Sequence, residues 1–165
     1  MIRAITTFGY VGLMRPAPGT WGSAVAVVLG LGIWHLGGFP ALAVAMVAVT
    51  CLGFWACGVA LRDRPGEDPS EIVIDEVAGQ WVAMLFPAGA FWWVGFDAML
   101  PWPAWVAAFL LFRLFDIWKP GWVGEADRRH DSVGVMLDDL WAGFYAGIFV
   151  MVLGALWHIP LILRG

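Results

Sequence analysis

The sequence predicts an all-α protein, a polytopic membrane bundle of about five helices forming a single domain over residues 1–165. Three observations carry that reading. Hydrophobic residues fill 61% of the chain and charged residues only 13%, about half the charged fraction of an ordinary soluble domain. Uncharged stretches recur at lengths that suit membrane crossings. The charges are also clustered, since all 13 carboxylates fall between Asp63 and Asp139 and both ends have none. A net charge of −4, placed so unevenly, argues against nucleic acid as a partner.

The first stretch, MIRAITTFGYVGLMRPAPGTWGS, is a poor secretory signal, lacking a compact apolar core and interrupted by Arg15 and Pro16. The first membrane segment is therefore expected to anchor the mature protein. Between Arg15 and Arg62 lie 46 residues without a formal charge. One crossing needs about 20, so two segments fit, at about 23–36 and 41–61, with HLGGFP as the turn. Cys51 and Cys57 lie in the second and read as small packing residues, because their spacing is neither CxxC nor a thiol-phosphatase Cys-x5-Arg.

RDRPGEDPSE is a polar turn. The 20 uncharged residues from Val77 to Phe96 make a third segment, and DAMLPWPAW is a link whose prolines and tryptophans suit an interface. Only 15 uncharged residues separate Asp97 from Arg113, so a fourth segment must carry Arg113 and Asp116 in its far end. Ionisable groups at membrane depth are costly and mark function by default. A charged loop over 119–137 and a fifth segment from about Asp138 to Leu163 complete the chain.

Five crossings put Arg3, Arg15, Arg62, Arg64, Arg113, Lys119, Arg128 and Arg129 on one face and only Arg164 on the other. The positive-inside rule makes the first face cytoplasmic. On that face four stretches converge: RPAPGTWGS, the Asp75–Glu76 pair, Arg113 with Asp116 and Lys119, and the Asp138–Asp139 pair. An acidic pair in a helix's first turn is by itself usually a cap. Five carboxylates against two cations exceed that explanation. A divalent cation resolves the imbalance, and oxygen-only ligands select a hard one, Mg²⁺ first and Mn²⁺ or Ca²⁺ next.

The expected metal ligands are Asp75, Glu76, Asp116, Asp138 and Asp139, with Gln80 supporting them one turn deeper than Glu76. Gly79 and Gly143 are expected to let backbones approach closely. Carboxylate-held Mg²⁺ beside Arg113 and Lys119 suits phosphoryl transfer: the metal polarises a phosphoryl oxygen and activates water, and the cations hold the phosphate. Glu76 or Asp139 would be the general base. Thr20, Ser23 and the backbone of APGTWGS offer further donors to an anion. A site at membrane depth implies a lipid substrate with a phosphorylated head group. Position sets histidine apart from the chemistry: His35 and His158 fall toward the other face, and His130 stands alone in the loop. The rival class is a cation- or proton-coupled transporter using the same carboxylates.

RPAPGTWGS, DPSEIVIDEVAGQW, FRLFDIWKP and GVMLDDLWAGFYA resemble, in order, the signature blocks of the bacterial phosphatidylglycerophosphatase A family, across about residues 9–147. The resemblance implies Mg²⁺-dependent hydrolysis of phosphatidylglycerophosphate to phosphatidylglycerol and phosphate at the bacterial inner membrane. The family's acidic residues fall on Asp75, Glu76, Asp116, Asp138 and Asp139, and its cations on Arg113 and Lys119. Two departures lie in the loop: Trp122 replaces a second proline, and DSVG replaces a Gly-Gly-x-Gly run.

Overall fold

A computed structural model describes residues 1–63, 67, 69–96 and 98–162, with side chains described as far as Trp157. Arg64, Asp97, Arg164 and the His158 side chain, which entered the sequence reading, lie outside the described residues. Six α-helices are present among the described residues: α1 Ile2–Thr6, α2 Pro18–Ala60, α3 Ile74–Trp93, α4 Trp102–Trp118, α5 Trp122–Asp127 and α6 Ser132–Ile162. No strand is present among them.

The long α2 is two limbs joined at the predicted turn. Gly38 sits at φ 63°, ψ −157°, a conformation essentially open only to glycine. Pro40, two residues on, removes an amide donor and helps to hold the break. Trp34 in the first limb donates its indole N–H to the Ala98 carbonyl at 2.9 Å, and Phe39 stacks on Trp92. These contacts tie the bend to the α3–α4 link.

α2 turns small residues inward, among them Gly22, Ser23, Ala26 and Gly30. α3 lies centrally, against α2 and α6. Trp81 in α3 donates to the Ala26 carbonyl of α2 at 2.7 Å, satisfying a buried indole. Ile74, Met84, Phe112 and Met136 are completely buried between the helices. Outward, Val28, Val44, Leu110, Phe149 and Leu153 are exposed. Two helical stretches, Pro18–Ala60 and Ser132–Trp157, are long and apolar enough to cross a membrane.

The third helix begins at Ile74, with Asp75 and Glu76 in its first turn as expected, three residues ahead of the uncharged run that starts at Val77. The region after Lys119 departs further from the sequence reading. The loop 119–137 contains α5, and the last helix starts at Ser132 instead of near Asp138. Asp131 explains the early start: its carboxylate accepts from the Gly134 N–H at 2.6 Å, the N-cap interaction worth about 1 kcal/mol. The Arg129 guanidinium and that amide hold the Asp131 carboxyl below the usual carboxylate range. It therefore remains a charged cap at neutral pH.

Residues 1–14 fold beside the approach to α3. Val73 donates its N–H to the Thr6 carbonyl at 2.9 Å, and Arg3 pairs with Glu71 at 3.1 Å. Residues 71–73 are thereby held immediately upstream of Asp75.

Candidate active site

The four converging stretches meet at one end of the bundle. α3 contributes Asp75 and Glu76 from its first turn, and α6 contributes Asp138 and Asp139 near its start. α4 contributes Arg113 and Asp116, and Lys119 closes it. α2 begins beside them, and Pro18, Gly19 and Thr20 face the same space. The partly open cavity measures about 300 Å³ and, among the described residues, is lined by five carboxylates and two cations.

Asp75, Glu76 and Asp139 each offer one carboxylate oxygen, all within 4.8 Å of one another. Asp75 and Asp139 are buried, and Glu76 Oε2 and Asp139 Oδ1 have no hydrogen-bond partner among the described residues. Two like charges at 4 Å repel by about 4 kcal/mol at an effective dielectric of 20. The nearby cations are already engaged. Arg113 pairs with Asp116 at 2.8 Å, while Lys119 pairs with Asp138 at 2.9 Å and also with Asp127. Among the described residues the three-carboxylate group is left short of positive charge. Its oxygen donors and unpartnered lone pairs fit a hard divalent cation.

Asp116 and Asp138 line the cavity but each carries a cation. Thr20 lines it too. Ser23 is buried behind the wall: its hydroxyl donates to the Gly19 carbonyl at 2.8 Å and accepts from Arg113 at 3.5 Å. Gln80 is completely buried one turn below Glu76, with neither end of its amide partnered among the described residues. Burial would lower the Lys119 pKa, but hydrogen bonds to Asp127 and Asp138 outweigh it and hold the ammonium above the ordinary lysine range. Lys119 is therefore charged at neutral pH.

Backbone contact sets the spacing between the acidic walls. A Cβ on Gly79 would strike the Asp139 carbonyl, and one on Gly143 would stand 3.1 Å from the Gly79 Cα. α3 and α6 therefore touch through their backbones one turn below the acidic pairs, as the two glycines predicted.

Two site residues were not singled out from the sequence. Gly19 admits the Glu76 carboxylate, which a Cβ there would strike. It was visible only as part of RPAPGTWGS. Asp127 reaches Lys119 because α5 doubles back, and a segment read as loop gave no sign of that.

Cations that can hold a phosphate dianion, beside carboxylates suited to a divalent metal, form the equipment of phosphoryl transfer to water. Set in an apolar-surfaced helical bundle, they define a phosphatase of the membrane-associated kind. Residues 4–154 match the family model for phosphatidylglycerophosphatase A, and the chain belongs to that family. It is 33% identical to a Haemophilus influenzae phosphatidylglycerophosphatase A, covering 86% of this chain and 82% of the relative. It is 30% identical to the Escherichia coli K12 phosphatidylglycerophosphatase A, covering 92% and 82%. A Bacteroides thetaiotaomicron protein, provisionally named a phosphatidylinositol-3-phosphatase, is 38% identical over 87% of this chain and 86% of its own length. No solved structure matches the chain.

Proposed function

We propose that this protein hydrolyses the phosphate monoester of phosphatidylglycerophosphate, giving phosphatidylglycerol and orthophosphate, with Mg²⁺ held by Asp75, Glu76 and Asp139. The observation that carries this reading is the close grouping of those three carboxylates with two unpartnered oxygens. When bound, the metal supplies charge that polarises the phosphoryl group and favours attack by water. Arg113 and Lys119 hold the non-bridging phosphate oxygens and stabilise charge in the in-line transition state. First-turn amides of α2, at Gly19 and Thr20, add donors where a helix start favours an anion. Whichever of Glu76 and Asp139 keeps a carboxylate oxygen free accepts the proton of the attacking water.

The chain is further proposed to cross the bacterial inner membrane five times, through both limbs of α2, α3, α4 and α6, with the cavity facing the cytoplasm. The arginine and lysine asymmetry supports that orientation. At 17 residues α4 is about 25 Å long, short of a hydrocarbon core of about 30 Å. That mismatch suits a helix whose charged end sits at the interface. Five carboxylates in one cavity favour hydrolysis over a transporter, whose acidic residues would be spread through the depth of the bundle.

The test is phosphate release by purified protein in mixed micelles of phosphatidylglycerophosphate. EDTA is expected to abolish it and Mg²⁺ to restore it. Parallel assays on phosphatidylinositol 3-phosphate decide whether the head group of the Bacteroides relative's named substrate is also accepted. Hydrolysis that persists in EDTA and in Asp139→Asn would sink the metal mechanism.

A further inference from the structure

We propose that Asp127 is a positioning residue for this reaction, fixing the Lys119 ammonium at the wall of the cavity from outside it. The inference rests on the reading of Lys119 as a phosphate-holding group. Lys119 ends α4 in the left-handed region, φ 52°, ψ 53°, which residues other than glycine seldom adopt. Gly121 follows at φ 51°, and the chain returns as α5 across the end of α4. Gly124 then lies so close that a Cβ would be 2.6 Å from the Lys119 carbonyl oxygen. Asp127 is three residues further along, on the same face of the helix, and its carboxylate takes the Lys119 ammonium. α5 thus grips Lys119 twice, at its backbone and at its charged end.

The two carboxylates on this ammonium stand differently. Asp138 lines the cavity at 2.9 Å from Nζ, whereas Asp127 approaches from the half-exposed outer side. α5 is itself fixed to α6: Trp122 packs on Trp141, and its N–H donates to the Tyr145 hydroxyl at 3.4 Å. The helix that carries Asp138 and Asp139 therefore also sets Asp127. A lysine on a flexible four-carbon stem loses less freedom on binding phosphate when its head is already tethered.

The experiment compares full-length wild type, Lys119→Ala, Asp127→Ala and the double variant in detergent. It reads KM, kcat, inhibition by orthophosphate and thermal midpoint. Asp127→Ala is expected to raise KM and weaken orthophosphate inhibition by about tenfold, the scale of lost outer support at a site. kcat should fall less, and the midpoint should hold because the pair is part-exposed. The double variant should be no worse than Lys119→Ala, because both act through one ammonium. Asp127→Glu should recover most of the loss. Unchanged or tighter orthophosphate inhibition in Asp127→Ala, or losses that multiply in the double variant, would overturn the proposal. Should the alanine variant not fold, Asp127→Asn carries the same expectations. An impaired Lys119→Ala beside an unimpaired Asp127→Ala refutes this inference alone. An unimpaired Lys119→Ala refutes the phosphate role of Lys119 as well.

Discussion

Asp139→Asn is expected to abolish phosphate release while leaving the metal-free protein as stable as wild type, or more so. The two effects have one cause. Asp139 is buried in α6, facing Asp75 and Glu76 of α3, with Oδ1 unpartnered. Without a cation these groups repel by several kcal/mol at such separations. The asparagine removes that repulsion but leaves a buried amide that costs about 1–3 kcal/mol if unsatisfied. The terms offset or favour the variant, so the fold should survive. Catalysis should not, because the variant has lost both a metal-binding charge and a candidate base, a fall in kcat on the order of 10³-fold. Metal response separates this outcome from simple misfolding. Mg²⁺ at about 100 times its Kd adds about 2.7 kcal/mol to a protein that binds it only when folded. Wild type should show that rise in thermal midpoint and Asp139→Asn should not. A variant that keeps the Mg²⁺-induced rise and turns over substrate would refute the assignment of Asp139.

The residues of this site were legible because topology needs only helix count and order. Once two crossings were assigned before Arg62 and one after Glu76, Asp75, Glu76, Arg113, Asp116, Asp138 and Asp139 had to share one end, and they do line one cavity. Pairing was not legible. Nothing in the spacing says that Asp116 answers Arg113 and Asp138 answers Lys119, leaving Asp75, Glu76 and Asp139 as the close group. Those distances follow from helix rotation, which residue type does not report. The loop was misread for a different reason. DRRHDSVGV has the charges and glycine of a turn, yet Asp131 caps a helix there through the Gly134 amide. A short capping side chain three residues before a glycine can be read either way from sequence. Reading all of 119–137 as loop also conceals α5, and with it the link from Asp127 to Lys119.

Gly79→Ala is expected to cost most of the activity without touching any group that meets substrate. The added methyl would lie 2.7 Å from the Phe112 ring and 2.8 Å from the Asp139 carbonyl carbon. Both neighbours are buried, and one is backbone, so no flexible side chain can yield. α3 and α6 must separate, and Asp139 moves away from Asp75 and Glu76. Overpacking of this kind costs about 1–3 kcal/mol of stability. A displacement near 1 Å at a reacting centre lowers turnover about 10²-fold, and Mg²⁺ affinity should fall in parallel. Gly143→Ala attacks the same contact from α6, where the methyl would be 2.9 Å from the Gly79 carbonyl carbon. It should reproduce the loss. Gly32→Ala supplies the contrast, because nothing lies within 4 Å of a Cβ there. In an open helical position the exchange should be neutral or stabilising by about 0.5–1 kcal/mol. Thermal midpoint, Mg²⁺ affinity and turnover measured on the three variants decide the matter. Wild-type metal affinity and turnover in Gly79→Ala would show that the backbone contact between α3 and α6 does not set the carboxylate spacing.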